Sequence, residues 1–547
     1  MAPRAARVDP SVSEGIVRNA GVASFAVLLS RISGLIREGV MSRLFGAGFA
    51  VDAFLIGFRI PNLTRDLFAE GALSSAFVPT FVETLKNKNR EEASELANQV
   101  ATAILLFVGG FCILGILISP WLVGILTRGW VQSEPQKYQL AVMLTQVMFP
   151  FLLLVALAAQ AMGILNSLNQ FAVPALSSTF FNIGSVISGL LIAFLVCPHF
   201  GLAPIVGMGF GVVIGGFLQL AVQVPSLLRG GFRFRLHLNF NHPGLRKISR
   251  LMGPAILGNS AVQVNVLVNT YFAASIYDPV RGVDGPVSWL GYAFRFMQLP
   301  IGLFGVALAT ATLPAISKSA ASRNMDEFRD TLARSLGLVF LLTLPSSAGL
   351  FVLGRSIVGA IYEGVKFRAY DTDQTALALS CYSVGLAGYA AVKVLTPAFY
   401  TLDDSRTPMY TSLGSIVVNI GVALLLVRGA QLGHAGLALS TSAVALVSFL
   451  ILFTVLRRRI GGVYGRRLRT TILKVSAASL IMAAAIWLSS HAIYAWLGVR
   501  TAARFVDLIV SIPLGLAVLY ACARWLRIEE LDLATRALLR RFRPAAA

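Results

Sequence analysis

Charge is scarce in this sequence. Of its 547 residues only 13% are Asp, Glu, Lys or Arg, about half the share found in an ordinary soluble domain. A chain of this length cannot cover a water-facing surface with so few charges, which excludes a soluble globular protein. Acids are scarcer than bases: 25 against 46, for a net charge of +21. Such an excess can mark a nucleic-acid binder, but here it gathers in short loops between apolar runs. That is the positive-inside pattern of a membrane protein, with attraction to anionic lipids, and no nucleic-acid partner is expected. The four cysteines, Cys112, Cys197, Cys381 and Cys522, stand singly in apolar segments, so neither a disulfide framework nor metal-ligand spacing is present. The five histidines are equally dispersed, and no metal site or cofactor is expected. Residues 1–19 are basic but lack a small-residue cleavage site after a short apolar core, so no signal peptide is expected.

Apolar residues are abundant: 56% of the chain is hydrophobic, with a mean hydropathy of +0.74. Runs such as 101–121 and 432–456 match or exceed the roughly 20 residues that cross a bilayer as helix. The short alternating segments of a membrane β-barrel are missing. The expected fold class is an all-α integral membrane protein with about fourteen transmembrane helices. The spans fall near 18–45, 50–84 (interrupted at Pro61), 95–126, 136–167, 172–196, 202–228, 248–276, 285–317, 327–362 (broken at Pro345), 373–401, 407–428, 433–457, 468–493 and 502–525. Loops after even-numbered spans are basic, including Lys86, Lys88 and Arg90, then Arg229, Arg233 and Arg235, and later Arg457, Arg458 and Arg459. Both termini are therefore expected in the cytoplasm.

The chain also repeats itself. Phe58-Arg59, Leu67-Phe68 and Pro79 match Phe294-Arg295, Leu303-Phe304 and Pro314 at a shift of about 235, and Asn182-Ile183-Gly184 matches Asn419-Ile420-Gly421. Spans 1–6 and 7–12 read as duplicated halves inserted the same way, a parallel repeat whose substrate site is expected between the halves. The expected division is an N-terminal lobe over 1–245, a C-terminal lobe over 246–465, and two added helices with a basic tail over 466–547.

The stretch 30–79 is the most informative. It is apolar enough to lie in a membrane yet carries Arg31, Arg37, Glu38, Asp52, Arg59, Arg65 and Glu70. Each ionisable group costs about 2.5–3.5 kcal/mol on insertion scales, so such groups face protein or water and usually handle something charged. The arginine pairs Arg31/Arg37 and Arg59/Arg65 read as one wall of a cavity for an anionic substrate. Arginine grips phosphate with two parallel hydrogen bonds and stays charged at any depth, so a diphosphate would supply the missing negative charge. The competing reading is that these acids and bases pair with one another to fix the fold. Arg295, the repeat partner of Arg59, lies among aromatic residues and either binds the same ligand or snorkels to an interface. Asn259, Gln263, Asn265, Asn269 and Asn419 either line a wet path or glue helices together.

Several of these residues belong to one series: Ser30-Arg31-Ile32-Ser33-Gly34, Phe45-Gly46-Ala47-Gly48, Asp52-Ala53-Phe54, Pro61-Asn62-Leu63, Phe68-Ala69-Glu70-Gly71-Ala72 and Ala76-Phe77-Val78-Pro79. In these, and in Gly253-Pro254-Ala255-Ile256-Leu257-Gly258, the whole chain resembles the MurJ (MviN) family of lipid II flippases, in the multidrug/oligosaccharidyl-lipid/polysaccharide exporter superfamily. The resemblance implies two six-helix lobes around a central cationic cavity, with the last two helices forming a groove for a lipid tail. It implies that lipid II, an undecaprenyl diphosphate carrying a disaccharide-pentapeptide, is moved to the outer leaflet of the bacterial cytoplasmic (inner) membrane by alternating access for peptidoglycan synthesis. The family's essential arginines fall on Arg31, Arg37, Arg65 and Arg295, and its acids on Asp52, Glu38 and Glu70. Some members bind sodium with an acid one turn beyond the asparagine matched by Asn419; here that position is Ala423, so the sodium site is not transferred. Membrane potential or another ion gradient is the expected energy source. A monomer is expected, with membrane lipids and cell-wall synthesis proteins as further contacts. The alternatives are an exporter of another lipid-linked glycan or a drug, a membrane enzyme acting on prenyl phosphates, and a scaffold for cell-wall enzymes. The enzyme lacks a cluster of catalytic acids, and the scaffold leaves the intramembrane arginines unexplained.

Overall fold

Among the described residues, all fourteen expected spans fall largely on helix. The computed structural model describes residues 10–66, 73–237, 239, 242–284, 287–462 and 465–531. In chain order these form α1 Pro10–Phe45, α2 Phe49–Arg65 and α3 Ser74–Asn87. Next come α4 Arg90–Leu126, α5 Pro135–Ser167, α6 Ala172–Phe200 and α7 Pro204–Arg229, then α8 Pro243–Ala274. The series continues with α9 Val287–Ala321, α10 Met325–Tyr362, α11 Ala369–Ser383, α12 Leu386–Tyr400, α13 Arg406–Gly429 and α14 Gly433–Arg459. It ends with α15 Gly465–Leu497 and α16 Thr501–Trp525. Among the described residues 10 helices are long and apolar enough to cross a membrane, or 11 when α11 and α12, bent by 44°, count as one span. The expected spans outside that count are α1, the pair α2 and α3, and α8, which carry most of the arginines, acids and amides singled out above.

The two expected proline breaks do not occur. Helix α2 continues through Pro61 to Arg65, and α10 runs 38 residues through Pro345. Proline deprives one carbonyl of its donor, and in a membrane helix neighbouring hydroxyls and helices compensate. The carbonyl Pro61 leaves without its donor is that of Gly57; one turn on, Thr64 Oγ1 donates to the carbonyls of Ile60 and Pro61 at 3.0 and 2.9 Å. Among the described residues one pair of strands occurs: a two-residue antiparallel hairpin pairs Tyr277–Asp278 with Val283–Asp284 between α8 and α9.

The chain divides into two compact units, Met1–Gln263 and Val264–Ala547. In the first, α6 and α7 meet backbone to backbone. Gly207, Gly211 and Gly215 recur every fourth residue on one face of α7. A Cβ at these positions would stand 2.3 Å from Ala193 N, 2.4 Å from Ser185 O and 2.7 Å from Phe181 O. Lipid is as apolar as any leucine, so close van der Waals approach through small residues is what drives such helices together. In the second unit, Ala390, Ala391 and Ala398 of α12 let Leu332, Leu336 and Val339 of α10 and Leu452 and Leu456 of α14 close around them.

The same polar contacts occur once in each unit. Asn182 Nδ2 on α6 donates to Ser30 O and Ser33 Oγ on α1, both at 3.1 Å. Asn419 Nδ2 on α13 donates to Asn265 O at 3.5 Å and Asn269 Oδ1 at 3.0 Å on α8. Likewise Arg90, at the start of α4, donates to Gly230 O just past α7, and Arg329, near the start of α10, donates to Ile460 O just past α14. Both arginines satisfy a carbonyl that the preceding helix leaves without an internal partner.

Candidate functional site

The first unit holds all but one of the described candidate residues. Helix α1 turns into α2 through Gly46-Ala47-Gly48, where Gly46 and Gly48 have φ of 79° and 120°. Only glycine enters this region without cost, so these two positions let the chain turn within three residues. The face of α1 made by Ser30, Ser33, Gly34 and Arg37 packs on α6. Asn182 holds its upper part, and the Arg37 guanidinium lies 5.2 Å from the centre of the Phe181 ring. Phe181 in turn rests on Phe151 at 5.4 Å. The cation–π contact, worth about 0.5–2 kcal/mol depending on desolvation, orients Arg37 while leaving it half-buried. Arg31, rotated about 100° from Ser30, is exposed, and Glu38, seven residues on, is half-buried.

On α2 the candidates separate by environment. Asp52 is buried, and its Oδ2 lies 3.4 Å from Lys137 Nζ on α5. Lys137 is fully enclosed; it also lies 3.5 Å from Glu134 Oε2 and 4.2 Å from the centre of the buried Trp130 ring. Two carboxylates and an aromatic face thus hold one ammonium without water. Sequence reasoning missed Lys137, which reads as an ordinary lysine at a span end. No periodicity marked it, because the chain leaves the helical conformation at Glu134, between the short helix that carries Trp130 and the start of α5. Arg59 is half-buried. Arg65 donates from Nε and Nη2 to Asp66 Oδ1 at 3.1 and 2.8 Å, so a carboxylate already stands against it. Glu70 lies outside the described residues.

The second unit holds Arg295. Around it on α9, Tyr292 and Phe296 pack on Tyr362 of α10 at 4.7 and 5.2 Å, and Phe294 packs on Tyr382 of α11 at 5.4 Å. With its neighbours turned to protein, Arg295 is the exposed side chain of this turn. It lies eight residues, about 12 Å of rise, from the start of the helix.

The amides of α8 act as helix glue. Asn265 Nδ2 donates to Ser415 Oγ at 2.9 Å, and Asn269 Nδ2 donates to Thr441 Oγ1 at 3.1 Å. Asn419 Oδ1 accepts from Ser440 Oγ at 2.9 Å. Ala423, one turn beyond Asn419, is fully buried. The side chain of Asn259 lies outside the described ones. Among the described residues no group of three or more His, Cys, Asp or Glu side chains could hold a metal ion.

Two further polar clusters escaped the sequence reading. Asp371, at the start of α11, accepts from Trp289 Nε1 at 2.8 Å, from the Arg368 N–H at 3.0 Å and from the Arg281 guanidinium. Arg281, on the hairpin, lies beside the Trp289–Tyr370 pair, 5.4 and 5.7 Å from the two ring centres. On α16, buried Asp507 accepts from Ser511 at 2.7 Å, from Ser490 at 2.9 Å and from Ser356 of α10. Arg504, one turn earlier, meets Glu363 at 2.7 Å. These contacts key α15 and α16 onto α10.

Against known proteins, the family model described as lipid II flippase MurJ matches residues 41–506. The lipid II flippase MurJ of Burkholderia cenocepacia is 33% identical over 480 residues, covering 86% of this chain and 90% of that protein. Among solved structures, a lipid II flippase MurJ in an inward closed conformation aligns with a TM-score of 0.73 at 26% identity, over 92% of this chain and 98% of that one. An inward-facing multidrug resistance MATE family transporter of the MOP superfamily aligns with a TM-score of 0.64 at 16% identity, over 80% of this chain and 94% of that one. The latter likeness is one of fold.

Proposed function

The chain belongs to the MurJ family of lipid II flippases, and on that premise we propose how its own residues move the lipid. It is a multi-pass membrane transporter, not an enzyme, and its substrate is lipid II. In the proposed cycle, a cavity open to the cytoplasm admits the diphosphate-linked head group while the prenyl tail stays in lipid. Arg31, Arg37, Arg65 and Arg295 take the diphosphate, with Arg59 as a further base. Glu38 and Glu70 orient these arginines when the cavity is empty, and Asp52, paired with Lys137, fixes the start of α2. Binding of the anion removes the repulsion between arginines, the lobes close on the cytoplasmic side, and the cavity opens outward.

The basic loops after even-numbered spans support an inner-membrane protein with both termini in the cytoplasm, which acts as a monomer and meets cell-wall synthesis proteins through those loops. Membrane potential biases the cationic cavity, since each charge crossing 100 mV exchanges about 2.3 kcal/mol.

The observation that carries this reading is Arg295, an exposed guanidinium about 12 Å of rise inside an apolar helix. A charge there needs water or an anionic partner. The test is complementation in bacteria depleted of their own lipid II flippase, with Arg31→Ala, Arg65→Ala and Arg295→Ala at matched membrane levels. Rescue by the parent chain and failure of the variants supports the arginine assignment. Rescue by all three variants makes the arginines structural and overturns it. Failure of the well-expressed parent moves the cargo to another lipid-linked glycan.

A further inference from the structure

After α7, residues 230–237 are tied down. Residues 232–237 run along the first turns of α4. The Arg235 N–H donates to Asn98 Oδ1 at 3.2 Å and the His237 N–H to Thr102 Oγ1 at 3.1 Å. Asn98 and Thr102 are one helical turn apart, about 6 Å of rise, and two residues of extended chain span about 6.6 Å. Alternate N–H groups of the strap therefore meet successive turns of the helix. Upstream, Arg90 donates to Gly230 O, and its guanidinium lies 5.8 Å from the Phe232 ring. Phe232 is buried against Phe81 at 5.8 Å.

This fixed strap presents an unusual surface. Phe234 and Leu236 are 56% and 76% exposed, and Leu228 is 52% exposed. Between and beside them Arg229, Arg233 and Arg235 are all exposed, and residues 228–237 contain no acid. The acid facing the strap is Glu95, whose carboxylate lies 3.8 Å from His237. The strap's depth is set by α4. Thr102 lies four residues, about 6 Å of rise, before Leu106 and Phe107, the first large apolar side chains that α4 turns outward. The strap therefore stands where lipid head groups meet the acyl region. There, apolar side chains enter the boundary while arginines fork onto phosphate.

We propose that residues 228–236 form a docking strap for the phosphate of anionic phospholipids at the membrane edge. The site is built by Arg229, Arg233 and Arg235, anchored by Phe234 and Leu236, and held in register by Asn98 and Thr102. It is separate from the residues assigned to the transported lipid and does not depend on them.

The test uses the full chain carrying Phe234→Trp. It is reconstituted in vesicles of equimolar phosphatidylglycerol and phosphatidylcholine, with one lipid or the other brominated. The fluorescence of the added tryptophan is read as the increment over the parent protein. Brominated phosphatidylglycerol is expected to quench it more strongly than brominated phosphatidylcholine. That preference should disappear when all three arginines become Gln, about fivefold in anionic-lipid affinity per arginine and of order a hundredfold together. The pair Asn98→Ala and Thr102→Ala, which leaves every charge in place, should also weaken the preference. Equal quenching by the two lipids would mean apolar insertion without head-group recognition and would overturn the proposal. Quenching by neither would place the strap in water or under protein, and would overturn it too. Size-exclusion profiles and unchanged quenching of the native tryptophans report that the variants fold.

Discussion

Lys137 and Asp52 face each other across α5 and α2, 3.4 Å apart, with side chains 0% and 2% exposed. Charge so enclosed is costly to strand, because removing one partner of a buried pair leaves the other uncompensated, at roughly 3–5 kcal/mol. Lys137→Met is therefore expected to lower the thermal stability of the detergent-solubilised protein sharply. Adding Asp52→Asn to it should recover part of the loss. A Lys137→Met protein that melts with the parent would show that the pair holds nothing.

Phe181 offers a milder intervention. Phe181→Leu keeps an apolar side chain against Phe151 but removes the ring face beneath Arg37. The expected loss is about 0.5–1 kcal/mol of arginine orientation, read as a several-fold drop in lipid II transport with little change in melting temperature. Transport equal to the parent would separate Arg37 from this support.

The paired asparagines can be compared within one molecule. Asn182→Ala and Asn419→Ala each remove a side chain that donates to α1 or α8. Hydrogen bonds between membrane helices average about 0.6 kcal/mol and reach about 1.7. Asn419 is expected to cost more, since its amide both donates to Asn269 and accepts from Ser440. Equal melting temperatures for the two variants would contradict this ranking.

Much of this architecture was legible beforehand, and the exceptions share a cause. Hydropathy finds spans because each span reports its own environment. It could not find Lys137, whose burial depends on Trp130 and Glu134 arriving with it and on Asp52 from another helix. Nor could it find Arg281 against Asp371, which needs a hairpin ending one span to reach the start of another three spans later. The prolines misled in the opposite direction. Pro61 and Pro345 were read by the rules of water-soluble helices, where a freed carbonyl goes to solvent. For the amides the sequence left two uses open, and the hydrogen bonds of Asn265, Asn269 and Asn419 are those of helix glue.

Acid should loosen the loop before α13. Thr407 donates to Asp404 from its N–H at 3.0 Å and from its hydroxyl at 2.7 Å, and Arg459 meets the same carboxylate. These contacts, the Thr407 hydrogen bonds foremost, hold the Asp404 carboxyl below its usual range. A folded-state value below the unfolded one, about 3.9, means the stabilisation is present above that pH and is lost as pH falls through the folded value. Asp404→Asn is expected to flatten the acid limb of the melting-temperature profile. Asp404→Ala should cost about 0.5–2 kcal/mol at neutral pH through loss of the cap. An unchanged acid limb in Asp404→Asn would remove this residue from the account.

The glycine contact of α6 with α7 bears on any motion of the first unit. Two helices separated by a layer of side chains can slide, because rotamers on either side re-seat one at a time. Gly207, Gly211 and Gly215 leave no such layer, since the main chains themselves touch along three turns. Sliding by less than a full turn would drive carbonyls into α-carbons, so α6 and α7 translate as a single strut. Displacement during turnover has to be absorbed elsewhere. One place is the α1 seam on α6, where Asn182 can exchange one acceptor for another without breaking a close-packed surface. The α6–α7 strut is then the frame of the first unit, and any movement within it falls on seams that keep a layer of side chains.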